Sequence, residues 1–125
     1  RRASSPKLLI QNNALVTATN PRSLPNPDPD PAWRGRLVEN AVGAALLQAH
    51  TSPGTTLHYW RDGALEVDFV LAEGPRLHAI EVKSGRPGKI SGLAAFKKKY
   101  PQATPFLIGS GGTPLEEFFQ NPKIT

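Results

Sequence analysis

Two short apolar runs joined by a tight turn constrain the fold of this chain more than any other feature. The first reads Leu65-Glu66-Val67-Asp68-Phe69-Val70-Leu71, the second Leu77-His78-Ala79-Ile80-Glu81-Val82-Lys83, with Gly74-Pro75 between them. Runs of this length, rich in Val, Ile and Leu and bounded by Gly and Pro, predict β-strands. Strand side chains alternate between faces. Asp68 is therefore expected opposite the row Leu65, Val67, Phe69 and Leu71, and Glu81 and Lys83 on one face opposite Ile80 and Val82. If the strands are neighbours, Asp68, Glu81 and Lys83 converge at one spot. Two carboxylates and an ammonium on hydrophobic strands are costly to desolvate unless they bind something, and a divalent metal is the obvious candidate.

The rest of the chain builds outward from this pair. Residues Lys7–Ile10 and Ala14–Val16 read as short strands. Proline at positions 21, 25, 27, 29 and 31 makes 20–31 a stiff extended loop. A helix follows, with Asp30 as N-cap and Pro31 in its first turn. Its apolar stripe is Trp33, Leu37, Val38, Ala41, Val42, Ala45 and Leu46, with Glu39 beside it, and Ser52-Pro53-Gly54 stops it after about His50. Leu57–Arg61 predicts a strand, and Asp62-Gly63 a hairpin turn into the first acidic strand. Ser91–Tyr100 predicts a helix burying Leu93, Phe96 and Tyr100. Pro105–Ile108 predicts a strand, and Thr113-Pro114-Leu115-Glu116 a capping box that opens a last short helix. The expected order is helix, three strands, helix, strand, helix: one α/β domain with a mixed central sheet flanked by helices.

Composition narrows the chemistry. The 125 residues fit one domain, and 38% hydrophobic content supplies one modest core. With no cysteine, a disulfide scaffold and a thiolate zinc site are excluded, and a reducing, cytoplasmic setting is expected. His50, His58 and His78 show no metal-ligand spacing. The longest apolar run is far short of a membrane span, so no membrane partner is expected. The net charge of +5 favours a polyanionic partner. The chain starts at Arg1-Arg2 and holds no Met, so it is read as a fragment of something longer or a processed product.

Phosphodiester hydrolysis needs a water deprotonated near neutral pH and stabilisation of charge on the phosphate. One or two Mg²⁺ or Mn²⁺ ions supply both. Mg²⁺ is served by one or two carboxylates, a backbone oxygen and waters. Asp68 and Glu81 are the candidate carboxylates and the Val82 carbonyl the candidate backbone ligand. Lys83 would orient the attacking water or offset developing negative charge. Glu39 would hold a second metal or a metal-bound water. Arg86, Lys89, Lys97 and Lys98 are candidate phosphate contacts, giving salt-sensitive affinity without sequence preference.

Glu39 on a helix, then Asp68, then Glu81-Val82-Lys83 resembles the PD-(D/E)xK nuclease superfamily, and the element order resembles its restriction-endonuclease-like core. Four surrounding words sharpen the resemblance: Gly35-Arg36-Leu37-Val38-Glu39-Asn40, Tyr59-Trp60-Arg61, Glu66-Val67-Asp68-Phe69-Val70 and Ile80-Glu81-Val82-Lys83-Ser84. They are similar to the nuclease-like domain of unknown function at the C-terminus of predicted bacterial and archaeal AAA-type ATPases. The resemblance runs from about Lys7 to Phe119. It implies a nuclease-like fold, DNA as the nucleic-acid partner and an ATPase region N-terminal in the same polypeptide. It also places Glu39, Asp68, Glu81 and Lys83 in the acidic and Lys positions of the superfamily. Val67 stands where that superfamily often has Pro, and Gln11-Asn12-Asn13 where an acidic residue is expected.

Other readings stand beside this one. Asp68, Glu81 and Lys83 also fit cross-strand ion pairs on a solvated face. Glu66 reads as a solvated strand-edge charge. Gly85-Arg86-Pro87-Gly88-Lys89 lacks the spacing and the Ser or Thr of a phosphate-binding loop, so the chain carries no nucleotide-hydrolysis motif of its own. Gly109-Ser110-Gly111-Gly112 reads as a strand-to-helix turn, and Tyr59 and Trp60 as core. The alternative functions are a non-catalytic module that binds nucleic acid or protein for the ATPase, and a dimerisation domain.

Overall fold

The computed structural model describes residues 31–85 and 90–124. In chain order these form α1 (Pro31–Ala49), β1 (Thr56–Asp62), β2 (Leu65–Glu73), β3 (Arg76–Lys83), α2 (Ser91–Lys99), β4 (Thr104–Gly109) and α3 (Leu115–Gln120). The architecture is α/β, and its element order is the one expected; it is compatible with a restriction-endonuclease-like core. The strands at Lys7–Ile10 and Ala14–Val16, the Asp30 cap, the Pro-rich loop before Pro31, and Arg86 and Lys89 lie outside the described residues.

The sheet has the order β1-β2-β3-β4. Its first two pairings are antiparallel and β3–β4 is parallel. The hairpins need no more than two turn residues. Gly74, at φ 60, precedes Pro75 between the paired Glu73 and Arg76. In the first hairpin Asp62 pairs with Leu65, so the turn is Gly63-Ala64. Asp62 is thus the last strand residue, because it is Gly63 that takes the positive φ the turn requires. A parallel neighbour needs a crossover, which α2 provides.

Each face of the sheet carries its own core. On one, Val42 and Leu46 of α1 pack with Phe69, Leu71, Ile80, Ile108, Phe118 and Ile124. On the other, Leu93 and Phe96 of α2 pack with Val67, Val70, Ala79 and Ala103, and Trp60 and Tyr100 close over them. Trp60 meets Phe96 edge-on at 5.3 Å, so its core role is as expected. Burying one such aliphatic or aromatic side chain is worth about 2 kcal/mol, which is why each helix keeps its apolar stripe on the sheet. Trp33 belongs to neither core, although the helical spacing places it on the stripe.

The cores expose one correction. Val67 and Phe69 were expected on one face, yet Val67 faces α2 together with Val70, while Phe69 and Leu71 face α1. The β1–β2 register explains it: His58 pairs with Val70 but Trp60 with Val67, so Asp68 and Phe69 together oppose Tyr59 alone. This is a β-bulge, and one extra residue interrupts the period of two. Asp68 is therefore not simply opposite a continuous apolar row; it sits in the bulge.

The capping box is also corrected. Pro114 precedes α3 and no side chain caps the helix. Thr113 is held elsewhere: its N–H donates to the Leu107 carbonyl (2.9 Å) and its carbonyl accepts from Gly109 N–H (2.7 Å). Two backbone bonds to β4 hold it as an extended bridge and override the local capping pattern.

Candidate active site

The bulge lies where β2 and β3 stop pairing. Their register ends at Phe69–Ile80. One step beyond, the Asp68 carboxylate takes the place of a backbone partner: Val82 N–H donates to Asp68 Oδ2 at 2.8 Å. The same spot is the carboxyl end of parallel β3 and β4, where α/β sheets open a crevice.

Two glycines set the surroundings. Gly109, at φ 102, runs so close to Lys83 that a Cβ there would overlap the Lys83 carbonyl. That carbonyl accepts from Ser110 N–H at 2.9 Å, which anchors the end of β3. Gly35 on α1 faces Ser84, whose Oγ would lie 3.7 Å from a Cβ built there. One turn later, Glu39 reaches Asp68 and shares a side-chain hydrogen bond with it.

The electrostatics follow from this crowding. Burial, the Glu81 carboxylate and the Glu39 carboxylate push the Asp68 carboxyl up to about 8, against the Val82 N–H, which favours the ionised form. A hydrogen bond between two carboxyls requires a proton, and the raised Asp68 carboxyl supplies it to Glu39. Lys83 Nζ lies 3.3 Å from Glu81 Oε2, with both side chains mostly buried. The other oxygen, Glu81 Oε1, is buried and has no hydrogen-bond partner among the described residues. Such an acceptor is costly to bury, and a water, a ligand or an ion would complete it.

The structure thus brings Asp68, Glu81, Glu39 and Lys83 together, with Val82 contributing its N–H. Among the described residues no group of three His, Cys, Asp or Glu side chains forms a ready metal cage. Asp68 and Glu81 still offer hard oxygens, one of them unpartnered, which fits Mg²⁺ or Mn²⁺ bound by two carboxylates and waters. Of the phosphate-contact candidates, Lys97 caps the end of α2, donating to the carbonyls of Pro101 (2.5 Å) and Ala103 (2.7 Å). Lys98 and Lys99 are exposed. The Gly109–Gly112 turn spends the amides of Gly109, Ser110 and Gly112 on the protein itself, in keeping with its reading as a connection.

Sequence reasoning missed the bulge, the Val82 amide and the Trp33–Arg36 contact, in which the guanidinium lies 5.7 Å from the indole centroid. The i, i+3 spacing of Trp33 and Arg36 was the available signal for the last.

A family model, described as a domain of unknown function (DUF4143), matches residues 34–118. That span covers α1 from Arg34, all four strands and α3 to Phe118, and includes every carboxylate of the site. No curated protein and no solved structure matches the chain.

Proposed function

The chain belongs to the DUF4143 family, and from that premise we propose that it is a divalent-metal-dependent nuclease or nuclease-derived module acting on DNA, with an AAA-type ATPase region N-terminal to it. One observation carries the reading. Asp68, Glu81 and Glu39 crowd together at the carboxyl end of β3, one Glu81 oxygen has no partner among the described residues, and Lys83 stands beside it. Carboxylates so placed repel unless a proton or a cation joins them, and a cation would displace the proton that Asp68 holds. The PD-(D/E)xK resemblance and the basic balance of the chain support DNA as substrate, and the ATPase partner rests on the same resemblance.

Asp68 and Glu81 would hold the cation, and Val82 N–H aims the Asp68 carboxylate. A bound Mg²⁺ or Mn²⁺ would supply Lewis acidity at the phosphate and lower the pKa of water. Glu39, which reaches Asp68, would hold a second cation or a metal-bound water. Lys83, steadied by Glu81 Oε2, would orient the attacking water and offset charge growing on the phosphate.

Plasmid nicking and oligonucleotide cleavage with Mn²⁺ test this reading. Lys83→Ala and Asp68→Asn are each expected to lose about 10²-fold or more of the activity. Equal activity in wild type and variants would point to a contaminant and remove these residues from the mechanism.

A second reading is a non-catalytic module that binds nucleic acid or protein for the ATPase. It is favoured by the Lys83–Glu81 pair, which already neutralises one carboxylate oxygen. Calorimetric titration with Mn²⁺ separates the two: a folded chain that takes up no metal belongs to the second reading.

A further inference from the structure

We propose that Trp33 and Arg36 form a platform on which an unpaired nucleic-acid strand lies as it enters the carboxylate site; the choice of ligand rests on the nuclease reading above. Trp33, Arg36 and Glu39 follow one another at i, i+3 and i+6, a continuous ridge along α1. Its inner end is the site itself, since Glu39 is hydrogen-bonded to Asp68. Gly35, between the first two members, packs on Ser84 at the end of β3. The ridge therefore leads outward from the mouth of the site.

Its chemistry suits a single strand. Among the described residues Trp33 joins neither core, and the Arg36 guanidinium lies over its ring, 5.7 Å from the centroid. Arg36 is exposed, and no carboxylate among the described residues pairs with it. A guanidinium held over a ring with no carboxylate partner keeps N–H donors for a phosphate oxygen. Guanidinium and indole planes also accept a base face, a contact that tolerates any sequence. A duplex hides its base faces in the stack, so this arrangement selects an unpaired segment. No acidic residue lies in the first turn of the helix to repel the phosphates.

The test uses the full chain with a fluorescein-labelled oligothymidylate, in EDTA so that no cleavage intervenes. Anisotropy is expected to show tighter binding to this strand than to a duplex of equal length. Trp33→Ala should weaken single-strand binding about tenfold. Arg36→Gln should weaken it several-fold and lower the salt slope by about one unit. Indole emission gives an independent readout. Trp60 lies in the α2 core, so quenching by unlabelled strand should survive Trp60→Phe and vanish in Trp33→Phe. Circular dichroism checks folding, and Trp33→Phe with Arg36→Gln carry the test if Trp33→Ala unfolds. Unchanged affinity in these variants, preference for the duplex, or quenching that follows Trp60 would overturn the platform. Its failure is distinct from failure of the nuclease reading: Mn²⁺-dependent cleavage with unaltered binding in these variants removes the platform alone, and strand binding as described without any cleavage removes the nuclease alone.

Discussion

His50 and the Asp68–Glu81 pair are both buried polar centres on this small sheet, and they are finished to different degrees. With its proton on Nδ1, the His50 ring donates to the Leu46 carbonyl (2.9 Å) and accepts from Ile124 N–H at Nε2 (2.9 Å). Both nitrogens are satisfied, and the ring ties the chain after α3 to the end of α1. At the opposite end of the sheet Glu81 Oε1 has no partner among the described residues, and Asp68 stays protonated well above the ordinary range of a carboxylic acid. A complete buried polar group holds structure together; an incomplete one with repelling neighbours costs stability and is kept for what it binds.

The contrast is most easily broken at His50. His50→Ala removes two hydrogen bonds and leaves the Ile124 amide without its acceptor. The expected loss is about 3 kcal/mol in urea unfolding. A loss under about 0.5 kcal/mol would mean that the histidine is not the tie it resembles, and the distinction between the two centres would lapse.

Asp68 sharpens the comparison from the other side. Burial and the Glu81 carboxylate push its carboxyl up to about 8 in the folded chain, from an ordinary 3.8. The folded state therefore keeps a proton that the unfolded chain releases between those values. The stability this confers is full below about pH 4 and is lost as pH rises through about 8. Asp68→Asn should flatten that slope. Without metal it should match wild type near pH 3.5 and exceed it by about 2 kcal/mol near pH 8.5, a figure reduced for partial solvent screening. Saturating Mn²⁺ should restore wild-type stability at the higher pH and leave Asp68→Asn unchanged, because metal binding expels the proton. A variant less stable than wild type at pH 8.5 without metal would make Asp68 a structural group like His50.

What could be read from the residues divides along the same line. Strand runs, turn glycines and helical spacing are local, and they gave the element order, the two-helix cover of the sheet and the core roles of Leu93, Phe96 and Trp60. The site residues Glu39, Asp68, Glu81 and Lys83 were legible as types in order. Their geometry was not, because a bulge is a mismatch between two strands and leaves no trace in the alternation of one. Glu39 reaches Asp68 because α1 packs across the sheet beside the end of β3, a fit between distant segments. Thr113 had the right local pattern for a cap and lost to two backbone bonds from β4. Trp33 had the right spacing for the core and was drawn to Arg36 instead.

Lys97 and Lys98 give the smallest and most specific test, since side by side in sequence they were read as equivalent phosphate contacts. Lys97 is spent on the carbonyls of Pro101 and Ala103, where a cation suits the C-terminal end of a helix. Lys98 is exposed and outside that bond pair. Lys97→Met should cost about 0.5–1 kcal/mol of stability and change strand affinity little at matched folding. Lys98→Met should leave the unfolding midpoint within error and, if this helix meets phosphates, weaken binding about twofold to threefold at low salt, the difference closing as salt rises. Identical behaviour of the two variants in both assays would show that the carbonyl contacts do not occupy Lys97, and that the basic run of α2 acts as one undivided patch.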